Sequence, residues 1–283
     1  MTHEPAPHGV PPDPWDDLRA HTQARLALGR AGAALPTAEL LRFGLAHAQA
    51  RDAVHIPLDA EALAAQLQAQ GCATLPVHSA ATDRATYLLR PDLGRRLCDA
   101  DAQALRESSA NESAPIDLLL VVADGLSSLA VARQAPPLIA AIRQQAPAGW
   151  QLGPVVIAQQ ARVALGDEVG ALLGARLGAV LIGERPGLSS PDSLGIYLTW
   201  HPQVGRNDAQ RNCISNVRPE GLPPAAAAAR LWWLCQEARQ LGLTGVGLKD
   251  RSAAATLAAG AGDSAAVRPR IGSKASAPPG HSG

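Results

Sequence analysis

The sequence predicts an α/β fold in which helices cover both faces of a parallel sheet. Three observations carry this. Five short apolar runs, at residues 118–123, 154–158, 179–182, 195–199 and 245–248, have the length and continuous hydrophobicity of strands buried on both sides. Helical stretches, notably 159–176 and 223–243, separate most of those runs. The residues before the first run read as helix. The organisation expected is a helical N-terminal region over 15–110 followed by a Rossmann-like parallel-sheet domain over 111–250.

The elements follow in order. Residues 1–14, MTHEPAPHGVPPDP, are rich in Pro and are expected to be a disordered tail. In LPTAELLRFGLAHAQARDAVH, Thr37 can cap a helix, Glu39 falls in its first turn, and Leu41, Leu45 and Ala48 recur at helical spacing. A second helix is expected to start at Asp59, carry Leu63 and Leu67, and stop at Gly71. A third is read in RPDLGRRLCDADAQALRES, with Pro91 in its first turn. In the helix at 223–243, Leu231, Leu234, Cys235, Ala238 and Leu241 share one face. From Arg251 onward the chain is Ala, Gly, Ser and Pro with almost no large apolar side chain. Burial there cannot offset the entropy of ordering, so 251–283 is expected to be a second disordered tail.

Composition narrows the function classes. A chain of 283 residues with 47% hydrophobic content can bury a sizeable core in one or two domains. A formal net charge of +0 argues against a nucleic-acid binder and is compatible with association with a partner. The four cysteines, Cys72, Cys98, Cys213 and Cys235, form no CxxC and no metal-ligand spacing, which points to a reducing, cytoplasmic setting. The first residues lack a signal-peptide pattern, and no apolar run approaches the ~18 residues of a membrane span.

In open α/β sheets ligands bind beyond the carboxyl ends of the strands. On this reading ADGLSS, AQQARVALGD, GERPGLSSPDS and WHPQVGRNDAQRNCISNVRPEG all fall on one edge. No phosphate-binding loop GxxxxGK[ST] occurs. GVGLKD is no dinucleotide fingerprint and DGLSSLA no nucleophile elbow. Ser127 reads instead as a helix cap, and Asp124 either as a ligand contact at a strand end or, more simply, as a turn former. His47, Arg51 and His55 make a polar stripe, either a partner contact or a solvated face. Of Trp232 and Trp233, one is expected in the core and the other at an interface. Arg211, Asn212 and Asn216 are turn-type residues, and Cys213 is most simply a small buried hydrophobe. The residues thus describe a crowded ligand edge without an autonomous catalytic set.

Several segments, taken together, resemble the small (light) subunit of ethanolamine ammonia-lyase. They are DPWDDLRAHTQARLALGRAGAALPTAELLRFGLAHAQARDAVH, TYLLRPDLGRRL, VVADGLSSLAV, GERPGLSSPDSLGIYLTWHPQVGRNDAQRNCISNVRPEGL and LGLTGVGLKD, in order from about Asp13 to Asp250. The resemblance implies an adenosylcobalamin-dependent enzyme that converts ethanolamine to acetaldehyde and ammonia by radical chemistry. It implies a large subunit that carries the catalytic residues, an assembly of six large and six small subunits, and in some bacteria housing in a protein-shelled microcompartment. The family's cobalamin contacts carry over to Val163 of ARVALGD, Glu184 of GERPGLS and Cys213 of RNCISN. Plainer roles stay open: Val163 as a helix-packing residue, Glu184 paired with Arg185 or Arg211, Cys213 as filler. No histidine lies in a D-x-H-x-x-G context, so no cobalt ligand is expected from this chain. Two other readings remain, a stand-alone nucleotide-binding α/β enzyme and a non-catalytic scaffold for a partner.

Overall fold

The computed structural model describes residues 15–22, 24–109 and 115–253. The tails expected at 1–14 and, beyond residue 253, at the far end lie outside the described residues. Two compact units are present, Met1–Leu248 and Lys249–Gly283. In the second, the Asp250 carboxylate accepts from the amide and hydroxyl of Ser252 at 2.9 and 2.7 Å.

Helix α1 (Thr37–His55) begins one residue earlier than a Thr37 cap would require: Pro36 holds the cap position and Thr37 is already helical. Its buried residues are Ala46 and Ala53, whereas Leu41 and Leu45 are exposed, so the face picked out by periodicity is not the packed one. Two small residues suffice because α1 makes only a narrow approach to the rest of the molecule. His47, Arg51 and His55 are exposed on it. Helix α2 (Ala60–Ala69) follows expectation. The Asp59 carboxylate accepts from the Ala62 amide at 2.9 Å, Leu63 and Leu67 are buried, and Gly71 leaves the helix at φ +75°.

The stretch read as purely helical also contains strand β1 (Thr74–His78) and a short helix α3 (Arg84–Leu89) capped by Asp83. Pro91 starts no helix. A 3-10 turn, Leu93–Arg95, follows it, and helix α4 begins at Asp99 (Asp99–Ser109). The remaining elements are β2 (Leu118–Ala123), α5 (Ser128–Gln144), β3 (Leu152–Gln159), α6 (Leu165–Leu172), β4 (Leu177–Gly183), β5 (Leu194–Trp200), β6 (Arg211–Val217) and α7 (Pro224–Leu241). The helix expected over 159–176 is shorter, because β3 runs on to Gln159 and Gln160 turns the chain at φ +52°. The run at 245–248 is no strand. Gly245 sits at φ +85° in a 3-10 turn, and its amide and the Leu248 carbonyl are held by the Asn212 side chain at 2.8 and 2.9 Å.

Strand order is β1-β3-β2-β4-β5-β6. Pairing is parallel from β1 to β4, and β5 is antiparallel to both of its neighbours, so five of the six strands run one way. The reversal of β5 corrects the expected edge. Trp200 pairs with Leu177, so the segment that follows β5 lies at the amino edge of the parallel strands. The chain then returns as β6, built from the RNCISNV that reads as turn-type residues. Register links Val180, Tyr197 and Cys213 across the last three strands.

Alternate strand residues feed two cores. Leu118, Leu120 and Val122 join residues of α2, α5 and α7 on one face, while Leu119, Val121 and Ala123 join those of α4 and α6 on the other. On the first face Leu231, Leu234, Cys235 and Ala238 of α7 are buried as expected, and Leu241 is exposed. Trp232 is the core tryptophan, its indole N–H donating to the Ile142 carbonyl at 2.9 Å and its ring edge-on to Trp150. Trp233 is half-buried.

Candidate functional site

Strands β2 and β4 are neighbours, yet the chain leaves them in opposite directions, toward β3 and toward β5. Adjacent strands of this kind open a crevice at their carboxyl ends. A cleft of about 320 Å³ lies there. Gly125 and Leu126 after β2, Arg162 and Val163 after β3, and Glu184 and Arg185 after β4 line it. It also runs along Tyr197 of β5 to Asp208, near the start of β6, so it spreads from the strand ends over the sheet face beside α6.

Backbone contacts fix the crevice. Gly125 turns the chain at φ +58°, and a Cβ on Gly183 would meet the Ser127 carbonyl at 2.1 Å, so neither position has room for a larger residue. The Leu126 amide donates to the Gly183 carbonyl at 2.9 Å. Asp124 does far more than form a turn. Its fully buried carboxylate accepts from the amides of Gly125, Gln160 and Ala161 at 2.8–3.0 Å and pairs with Arg84 at 3.3 Å. Burial pushes this carboxyl upward, against the Ala161 amide and Arg84, which favour the charge. Arg84 donates in turn to the Val54 carbonyl at 2.8 Å, which ties the last turn of α1 to the same point. Behind the cleft Tyr87 is fully buried, its hydroxyl donating to the Ala161 carbonyl at 3.2 Å. The guanidinium carbons of Arg84 and Arg162 stand over the ring, 4.8 and 4.2 Å from its centre. Desolvation raises the Tyr87 phenol, so it stays neutral.

The loop from Glu184 to Ser193 is tied at both ends. The Glu184 amide donates to the Ser193 carbonyl at 3.0 Å, and Gly187 and Ser190 exchange two backbone bonds at 3.1 Å. Ser127 caps α5 as expected, accepting from the Ala130 amide at 3.1 Å, and its hydroxyl also donates to the Pro191 carbonyl at 2.8 Å. Asp192 pairs with Arg133 of α5 at 3.1 Å. The Ser193 hydroxyl donates to Glu184 Oε2, and the Asn216 amide approaches the same oxygen at 3.3 Å.

The three residues singled out from the sequence are placed as follows. Val163 and Glu184 line the cleft together. Glu184 forms no ion pair with Arg185 or Arg211, since Arg211 reaches Asp167 of α6 with two bonds of 2.6 and 2.7 Å in a fully buried pair. Cys213 does not line the cleft but lies next to it, opposite Tyr197. It is exposed, contrary to the small buried hydrophobe expected, and its Sγ lies 3.2 Å from Ser215 Oγ. The Tyr197 phenol is pushed up to about 12, first by burial and then by Cys213 and Glu184. Sequence reasoning overlooked Tyr87, Arg95 and Arg162 as wall residues. Arg162 had one signal, its place beside Val163 in ARVALGD.

Among the described residues no three His, Cys, Asp or Glu side chains gather to hold a metal ion, and no helix is long and apolar enough to cross a membrane. Residues 12–249 match the family model of the ethanolamine ammonia-lyase light chain. The chain is 56% identical over 251 residues to the ethanolamine ammonia-lyase small subunit of Pseudomonas syringae pv. tomato, covering 88% of each chain. It is 57% identical over 246 residues to that of Pseudomonas fluorescens, covering 87% of this chain and 90% of the relative. With that of Ralstonia nicotianae it shares 56% identity over 255 residues, 90% of this chain and 94% of the relative.

Proposed function

The chain belongs to the ethanolamine ammonia-lyase light-chain family, and from that premise we propose that it holds one edge of adenosylcobalamin where it meets a large subunit. The enzyme so formed converts ethanolamine to acetaldehyde and ammonia. The observation that carries this reading is the convergence of Val163 and Glu184 in one open cleft, with Cys213 exposed beside it across Tyr197.

The chain's own residues suit that cofactor. No donor among the described residues reaches Glu184 Oε1, while Ser193 and Asn216 hold Oε2. Glu184 is therefore preset to accept from the amide N–H groups of the corrin rim. Val163 offers an apolar wall, and Cys213 is small enough to let a ring edge lie over β6. A cleft of about 320 Å³ takes one edge of a corrinoid and leaves the remainder for a second surface to cover. Leu40, Leu41, Phe43 and Leu45 of α1 are exposed, an apolar surface of the kind that partner subunits bury. When bound, adenosylcobalamin supplies a weak cobalt–carbon bond and with it the radical chemistry. This chain orients the cofactor and shields it from water, and the main catalytic residues belong to the large subunit. The assembly proposed has six large and six small subunits, and housing in a bacterial microcompartment is part of the same proposal.

The test is to co-express the chain with a large subunit, then measure co-purification, bound adenosylcobalamin and acetaldehyde release. Glu184→Ala combined with Cys213→Trp should weaken cofactor binding by about tenfold or more, the value of one charge-assisted bond plus a steric block, without preventing co-purification. Unchanged affinity in that variant would reduce the chain to a scaffold. Acetaldehyde release that does not depend on cobalamin would sink the reading altogether.

A further inference from the structure

The cleft carries a charge pattern that Val163, Glu184 and Cys213 do not use. Arg95, Arg162 and Arg185 all line it. Arg95 and Arg185 make no side-chain hydrogen bond or ion pair among the described residues, and both are exposed. Arg162 spends Nη2 on a long bond of 3.4 Å to the Tyr87 carbonyl, and its buried Nε has no acceptor. The Arg162 Nη1 has no acceptor among the described residues, so the fork keeps a donor for an acceptor from outside the chain. Among the described residues no ion pair joins these cations to the acids of the cleft. Glu184 is committed through Oε2 to Ser193 and Asn216, and Asp208 stands 3.5 Å from the buried Arg211. Stacking on Tyr87, with its ring centre 4.2 Å away, fixes the Arg162 fork in place. A fixed planar fork beside two exposed ones is the donor set that phosphate oxygens match best.

We propose that Arg95, Arg162 and Arg185 form an anion subsite for a phosphate ester. Resting on the function proposed above, its occupant is the phosphodiester in the nucleotide loop of the same cobalamin. Glu184 then reads the donors of the corrin rim and the arginines read the acceptors of the loop, so one cleft sets the cofactor's orientation by charge.

The test uses the co-purified complex of both subunits and three corrinoids. Adenosylcobalamin has the phosphodiester, adenosylcobinamide lacks it, and adenosylcobinamide phosphate restores a phosphate alone. Binding is read by ultrafiltration and visible absorbance, independent of turnover. Arg95→Gln with Arg185→Gln, two exposed positions, should weaken adenosylcobalamin and adenosylcobinamide phosphate by about tenfold and adenosylcobinamide by less than about twofold. Arg162→Gln should show the same selectivity, and Arg162→Lys should recover only part of it, because a point charge lacks the fork. Equal losses for all three ligands, or none, overturn the subsite. Inorganic phosphate that binds through these arginines without competing with adenosylcobalamin assigns them to a free anion and overturns the cofactor's claim on them. A wild-type complex that retains none of the corrinoids defeats the proposed function itself, and the subsite's occupant with it.

Discussion

The two faces of the sheet are built alike under β1 to β4 and differently under β5 and β6. On one face α2, α5 and α7 give a core that continues through Leu198 to Ile214 and Val217, so even the edge strand is sealed. On the other, α4 and α6 cover the parallel strands, and the core stops at the partly buried Tyr197, with Cys213 and Ser215 beyond it exposed. The sealed face makes the fold. The open face leaves a cleft whose walls are already rigid, because Asp124, Tyr87 and the tied 184–193 loop are held by the sealed side and the loops around it. A binding surface of this kind needs no folding of its own when a ligand arrives.

The largest test falls at the boundary between the two regimes. Arg211→Met leaves Asp167 buried without its partner, and loss of one member of such a pair costs about 3–5 kcal/mol. Urea unfolding should show that drop, and Asp167→Asn in the same chain should recover part of it. If Arg211→Met were as mild as a surface change, the open face would begin at α6 and not at Tyr197. Next comes Leu198→Ala on the sealed face, 1% exposed, with an expected loss of about 2–5 kcal/mol by the same measurement.

The open face should declare itself in a titration. The chain has two tyrosines, and both phenols are raised, Tyr197 to about 12. An unfolded tyrosine ionises near 10. The folded pKa lies above the unfolded one, so the stabilisation from Tyr197 is complete below pH about 10 and is lost as pH climbs toward about 12. Absorbance of tyrosinate should stay low through pH 10 in the native protein and rise there once urea unfolds it. Tyr197→Phe should remove the earlier of the two native steps. The smallest effect belongs to Cys213→Ala, which should move stability by no more than about 0.5 kcal/mol. In the isolated chain Cys213 should be the thiol that reacts first with a disulfide reagent, well ahead of buried Cys72 and Cys235. Protection of Cys213 in the two-subunit complex would mark the open face as covered.

The contrast between the faces also separates what could be read early from what could not. Leu118 to Ala123 announces a central strand because both of its faces are buried, and continuous hydrophobicity reports just that. Asp59, Gly71 and Ser127 punctuate helices by chemistry local to a few residues. Glu184 came from the resemblance of GERPGLS to the family's segment, and the structure adds only that it lines the cleft. By contrast β6 hides in RNCISNV. Only Arg211, Ile214 and Val217 are buried, which is not the alternation of a half-covered strand, and Arg, Asn and Ser are weak strand formers. Its pairing partner lies across a loop, so nothing local specifies it.

By itself, the sequence determined the mixed α/β class, the central strands, the helix caps at Asp59 and Ser127, and the family. Local propensity and burial on both sides leave their mark on neighbouring residues, and shared segments leave theirs along the whole chain. The tertiary structure decided the reversal of β5, the conversion of 245–248 into a turn around Asn212, and the bare face over Tyr197 and Cys213. It also decided which arginines share a cleft. Those features depend on contacts between residues distant in the chain, where the identity of the neighbour sets the energy and the local pattern carries no trace of it.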